Sequence, residues 1–162
     1  MTDRIIVATF QDTNSAYDAA TAIKDLKNVG AADFDLKTGV MVRKDELGNV
    51  NVVDNRERPL WGTAIGVTTG ALIGALAGPA GAVAGGAAGA GAAAAVGAAL
   101  GGTLGLGGDA IEASLDDDFV DGVTSGMLPG STALIVEANE GSTRAVDDIV
   151  AVNGGNVYRQ NA

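Results

Sequence analysis

The sequence predicts an α+β protein, in which a ferredoxin-like sheet built from two βαβ halves carries an inserted Gly/Ala-rich glycine-zipper helical hairpin. Two observations predict this fold. Both ends of the chain show a strand–helix–strand pattern, whereas residues 59–108 contain no Lys, Arg, Asp or Glu and hold 16 of the 25 glycines. We therefore expect three parts: the first βαβ half with an extra hairpin strand (1–58), the apolar helical hairpin (59–108), and an acidic helix with the second βαβ half (109–162).

The first half begins with an apolar run at residues 5–10, which predicts a strand. Residues 12–15 offer helix N-caps, and Gly30 marks the end of the helix that follows. The apolar stripe of this helix comprises Ala16, Ala19, Ala20, Ile23 and Leu26. A β-hairpin is then predicted by Phe34, Leu36, Val40 and Val42, by a turn at residues 45–49, and by Val50 and Val52.

The second half repeats this order. A short acidic helix is predicted near residues 115–127, and Pro129 and Gly130 separate it from a strand at residues 132–136. Ser142 is the predicted cap of the last helix, whose stripe comprises Ala145, Val146, Ile149, Val150 and Val152. Gly154 and Gly155 end it before a final strand at 156–160. Two such units pair into one sheet with the helices on one face.

The glycines of the apolar hairpin recur at four-residue spacing. Residues four apart lie nearly above one another on a helix, so each ladder forms a groove that another backbone can approach closely. The spacing therefore predicts helix packing and homo-oligomerisation. The predicted packing residues are Gly62, Gly66, Gly70, Gly74 and Gly78, then Gly81, Gly85, Gly89, Gly97, Gly101 and Gly105.

The same segment raises the question of a membrane. Trp61 and Arg58 have the character of interface anchors, and residues 60–77 would form about 27 Å of helix. We expect a membrane-associated homo-oligomer at the cytoplasmic membrane, with the lipid bilayer as a partner and both flanks on the cytoplasmic side. The second helix is poor in bulky side chains, which leaves an alternative: a soluble cytoplasmic homopolymer, filament or shell, with the hairpin buried between subunits.

The composition argues against several kinds of chemistry. The chain has ten basic and twenty acidic residues, a net charge of −10, and neither His nor Cys. A nucleic-acid partner is disfavoured because phosphate binding needs clustered Lys and Arg. No nucleophile and base converge, so we expect a non-enzymatic protein without catalytic residues or cofactor. A ligand-binding regulatory module is a second alternative.

An acidic cluster near the third part is the best candidate for a cation site. It comprises Glu112, Asp116, Asp117, Asp118 and Asp121. The spacing does not match an EF-hand loop, and Asp residues at a helix start cap free amides. Helix capping is therefore the preferred interpretation, and no metal is expected.

The order of these parts resembles a bacterial family of predicted membrane proteins, domain-of-unknown-function family 1269. The resemblance covers nearly the whole chain and is carried most specifically by the acidic triplet before Phe119 and by the run from Pro129 to Leu134. It implies a membrane protein linked with stress responses and without established enzymatic activity. The second apolar helix departs from the family by its high Ala and Gly content.

Overall fold

A computed structural model describes residues 2–30, 33–47, 50–53, 72, 76 and 116–161 of the chain. Within these ranges the protein is a mixed α+β structure with one five-stranded sheet and three helices of more than one described residue. The strands are β1 (Thr2–Phe10), β2 (Phe34–Lys44), β3 (Val50–Val52), β4 (Thr132–Glu140) and β5 (Asn156–Asn161). The helices are α1 (Thr13–Asn28), α2 (Asp117–Gly126) and α3 (Arg144–Val152).

The sheet has the strand order β3-β2-β4-β1-β5, and every neighbouring pair is antiparallel. The strands β1 and β2 of the first βαβ unit are therefore parallel to each other and separated by β4. In the same way β4 and β5 are separated by β1. The two halves predicted from the ends of the chain thus interleave to form one sheet.

Local sequence signals explain the element boundaries. The side chain of Asp12 caps α1 by accepting the backbone N–H of Ser15 at 2.8 Å. Gly30 follows the helix with a φ of 64°, and Gly130 has a φ of 84° in the turn before β4. Glycine adopts this left-handed region without the steric penalty of a Cβ atom. The predicted helix stop and the predicted break before β4 are both confirmed.

The predicted cap and stripe of α3 need two corrections. The N-cap position is Thr143, which makes no side-chain capping bond, while Ser142 Oγ accepts only a long 3.4 Å bond from the N–H of Arg144. Val146 and Val150 are buried as predicted, but Val152 is exposed because the helix ends there and Gly154 turns the chain away. The stripe therefore ends at Val150, two residues earlier than expected.

The first face of the sheet packs against α1 and α3. This first core contains Ile6, Ala8, Leu134 and Val136 from the central strands, together with the apolar stripe of α1 and two valines of α3. The central strands β1 and β4 are apolar on both faces, as expected for strands that are covered on both sides.

The second face is covered as well, which differs from the prediction that helices lie on one face. Its core is formed by alternate residues of β1, β2 and β4 and by helix α2. Because α2 has its own apolar stripe, it buries this stripe against the face that α1 and α3 leave open.

A β-bulge in β2 divides this strand between the two cores. The register with β4 shifts between Leu36 and Thr38, so Lys37 is an extra residue. Phe34 and Leu36 therefore face the first core, whereas Val40 and Val42 face the second, although all four lie at even positions. The alternation in the sequence predicted the strand but not this reversal.

Candidate functional site on the second face of the sheet

Two leucines of the charge-free segment lie in the core of the second face. Leu72 is 0% exposed and Leu76 is 8% exposed, and both are helical. They belong to the same cluster as Val40, Val42 and Ile135 of the sheet. Residues four apart lie on one side of a helix, so the two side chains form one apolar stripe. This part of the segment is therefore anchored on the sheet domain.

Helix α2 covers the same face. Its buried residues Phe119 and Val123, together with the buried C-cap residue Met127, follow the four-residue spacing of a single stripe. Asp116 caps the helix by accepting the N–H of Asp118 at 3.0 Å. Acidic side chains in the first turn interact favourably with the positive end of the helix dipole. The acidic start and the apolar stripe together explain why this short stretch is helical here.

Strand β5 holds α2 at two points. The ring of Tyr158 lies against Gly122 and Gly126, and a Cβ atom at position 126 would overlap the hydroxyl of Tyr158. At the start of the helix, Gln160 Oε1 accepts the backbone N–H of Asp116 at 2.7 Å. The two glycines thus allow an approach between helix and strand that a larger residue at position 126 would prevent.

The described residues on either side of residues 54–115 lie at opposite edges of the sheet. The chain leaves after Val53, whose N–H donates to the carbonyl of Met41 at 2.8 Å beside edge strand β3. It returns at Asp116, beside edge strand β5. Four strand spacings, or about 19 Å, separate these edges. Residues 54–115 therefore connect the two edges, and Leu72 and Leu76 pack on the face between them.

A buried ion-pair network lies at one end of the first face. Glu140 is 1% exposed and accepts bonds from Arg159 Nε at 2.9 Å, Arg159 Nη2 at 3.0 Å and Arg4 Nη1 at 3.0 Å. Arg159 Nη1 also donates to Asp147 at 2.6 Å. The paired arrangement of Arg159 on Glu140 is the strong bidentate form of this contact.

The environment of Arg159 shifts its pKa. Burial lowers the pKa of the guanidinium, but the hydrogen bonds to Glu140 and Asp147 outweigh this and raise it above its ordinary value. Arg159 is therefore charged throughout the accessible pH range. Every charged side chain of the network is bonded to one of opposite charge. The network therefore joins β1, β4, β5 and α3, which is a structural role.

The predicted packing glycines, Gly62 through Gly105, and the predicted interface anchors Trp61 and Arg58 lie outside the described residues. The same is true of Glu112 in the acidic cluster. Its described members, Asp116, Asp117, Asp118 and Asp121, are exposed on α2, with Asp116 as the cap. No group of three or more His, Cys, Asp or Glu side chains that could hold a metal occurs in the described ranges.

Several residues of the two faces of the sheet were not predicted, although the sequence contains signals for them. Leu72 and Leu76 have helical spacing, and Gly122 and Gly126 have the same small-residue spacing as the hairpin glycines. Glu140 continues the alternation of Leu134, Val136 and Ala138, which could have indicated that its side chain points inward.

Among the helices in the described ranges, none combines the length and apolarity needed to cross a bilayer.

The comparisons with known proteins find no relative. The chain matches no protein-family model, no curated protein and no solved structure. The resemblance to domain-of-unknown-function family 1269 accordingly stays a prediction.

Proposed function

We propose that this chain is a non-enzymatic self-associating protein, in which a sheet domain anchors the charge-free segment and the glycines of that segment join copies of the chain. The observation that carries the proposal is the burial of Leu72 and Leu76 on the second face of the sheet. We also propose that the sheet is ferredoxin-like. The order β5-β1-β4-β2, with the units interleaved, supports this.

Helical geometry separates the anchor from the proposed packing surface. Each residue advances about 100° around an α-helix. Positions 70 and 74 therefore lie about 160° from the stripe formed by positions 72 and 76. In a continuous helix whose leucine stripe faces the sheet, Gly70 and Gly74 would face away from the sheet and would offer a groove to a second backbone. The sequence thus provides one side for anchoring and the opposite side for self-association.

The burial of the two leucines also bears on the surroundings of the segment. In a single bilayer span over residues 60–77, large apolar side chains would face lipid, whereas Leu72 and Leu76 face protein. We therefore propose an assembly in which protein surrounds the segment, as a soluble homopolymer. A membrane-associated oligomer, with both flanks on the cytoplasmic side, is the second candidate. It is favoured by the fifty charge-free residues and by Trp61 close to Arg58.

Two measurements test these proposals on the untagged full chain. Flotation of a lysate on a density gradient, with and without detergent, separates the candidates. Heavy particles indifferent to detergent support the soluble homopolymer, whereas flotation with lipid that detergent abolishes supports the membrane oligomer. A chain that sediments as a monomer under both conditions would overturn both.

The role of the glycines is tested by a matched pair of variants. Gly70→Leu/Gly74→Leu fills the groove, so the oligomer should become smaller in sedimentation velocity. Gly70→Ala/Gly74→Ala keeps small side chains, and its oligomer should be retained. If the leucine variant kept the wild-type particle size, the glycine groove would not be the contact between copies.

A further inference from the structure

Within the described residues, the outer edge of the six-residue strand β5 has no further strand beside it. All six residues of β5 pair with β1, from Arg4 opposite Asn161 to Thr9 opposite Asn156. Within the described part of the chain, no strand pairs with the other side of β5. An edge strand presents alternate backbone N–H and C=O groups that can pair with a further strand.

Proteins usually protect such edges with Pro, Lys, bulges, short strands or charges that point inward. Residues 156–161 contain neither Pro nor Lys, and their register with β1 has no bulge. Their one charged side chain, Arg159, is held by Glu140 and Asp147. The opposite edge strand, β3, is only three residues long. Of the two edges, β5 is the one suited to pairing.

We infer that two copies of this chain pair antiparallel through β5, which joins their sheets into one of ten strands. A contact between identical copies of this kind is two-fold symmetric. Residues directly opposite each other point to the same face of a sheet, while successive residues point to opposite faces. The symmetry axis must therefore pass through a residue that lies opposite its own copy, and not between two residues.

Three residues near the middle of β5 could lie on this axis. An axis at Arg159 would place two guanidinium groups opposite each other, which is destabilising. An axis at Val157 would pair only residues 156–158 of each strand. An axis at Tyr158 pairs residues 156–160 and places two aromatic rings opposite each other, which contributes favourably. In this register Asn156 lies opposite the partner's Gln160.

The β5 contact is separate from the glycine groove of the charge-free segment. If copies associate through both surfaces, each chain contacts two different neighbours, and assembly continues beyond a dimer. This last step rests on the proposed function, whereas the β5 contact itself does not. Assembly through both surfaces would explain how a small domain builds the large particle proposed above.

The absence of Cys from the chain allows a direct test of the register. One full-length chain carries Asn156→Cys and a second carries Gln160→Cys. Opposite Cβ atoms in an antiparallel pair lie about 4.5–5.5 Å apart, close enough for a disulfide after small adjustments. Copper-phenanthroline oxidation of the mixed chains should give a covalent dimer on a non-reducing gel. Each chain oxidised alone should give at least tenfold less, as should Thr21→Cys on the exposed side of α1.

The outcomes are distinct. A mixture that gives no more dimer than Thr21→Cys overturns the β5 contact, and equal yield from the single chains overturns the Tyr158 register. The same oxidation in the Gly70→Leu/Gly74→Leu background separates the two surfaces. There, retained cross-linking supports the β5 contact whatever happens to the glycine groove, and lost cross-linking overturns it as an independent contact.

A charge pair provides a second measurement that needs no oxidation. Asn156→Lys/Gln160→Lys would place like charges opposite each other twice in the proposed register, whereas Asn156→Lys/Gln160→Glu would place opposite charges there. Sedimentation should show at least tenfold weaker association for the first variant than for the second. Equal association of the two variants, with unchanged circular dichroism, would contradict the proposal.

Discussion

Replacement of Leu72 by Ala tests whether the charge-free segment is part of the folded core. The side chain of Leu72 is fully buried on the second face of the sheet. The change removes three buried carbon atoms at about 0.8 kcal/mol each, and the cavity left behind adds to this cost. We expect a loss of about 3 kcal/mol in the free energy of unfolding. For a sheet domain of about 100 residues, a loss of about 3 kcal/mol corresponds to a fall of roughly 12–24 °C in Tm.

The assay is urea and thermal unfolding of the full chain in detergent-free buffer, followed by far-ultraviolet circular dichroism. Leu47→Ala is the matched control because Leu47 is 88% exposed, and its effect should stay within about 0.5 kcal/mol. If Leu72→Ala were as mild as this control, the leucine would not be anchored on the sheet. The proposal that the segment has one side against the sheet and one free side would then fail.

Three further predictions concern the described core. Gly126→Ala forces a Cβ atom into the ring of Tyr158 and should cost about 1–3 kcal/mol in thermal unfolding. Glu140→Gln removes the carboxylate between two arginines and should cost about 3 kcal/mol in urea unfolding. The hydrogen bond from the backbone N–H of Ser15 lowers the pKa of Asp12. The Asp12 carboxylate therefore stabilises the fold fully above an ordinary Asp pKa of about 3.9. This stabilisation is lost as the pH falls through the lowered pKa. Asp12→Asn keeps the cap acceptor and should flatten the dependence of unfolding on pH between pH 5 and pH 2.

Matched variants show what would contradict these expectations. A Cβ atom at Gly122 would lie 3.4 Å from Tyr158 Cδ1, an ordinary contact, so Gly122→Ala should be neutral or stabilising. Equal losses at both glycines would rule out the proposed role of the tyrosine ring. Asp3→Asn removes a half-exposed pair with Lys37 and should cost less than Glu140→Gln. An unchanged acid profile for Asp12→Asn would refute the capping contribution.

The order and type of the elements could be predicted because local signals and periodicity agree with the final fold. The apolar stripe of α1 lies between Asp12, a capping side chain, and Gly30, a residue suited to positive φ. Strands β1 and β4 are strongly apolar, and Pro129 and Gly130 separate β4 from the helix before it. In each case the pattern within a few residues was sufficient.

The composition of the second face could not be predicted in the same way because it depends on contacts between distant parts of the chain. Leu72 shares its helical spacing with other apolar residues of its segment, so this spacing does not single it out. Its burial depends on the valines of β2 and on Ile135, which are distant in sequence. The burial of Glu140 depends on Arg4 and Arg159, which are distant in sequence. The glycine ladders and interface anchors lie outside the described residues and stay predictions.

The bulge at Lys37 has a consequence for how β2 can change during evolution. One strand supplies side chains to both cores, and the extra residue is what directs Leu36 to one core and Val40 to the other. An apolar substitution at either position alters one contact, but an insertion or deletion between them would exchange the faces of all residues on one side. Homologous chains should therefore vary in side chain here and keep the length between these two positions constant.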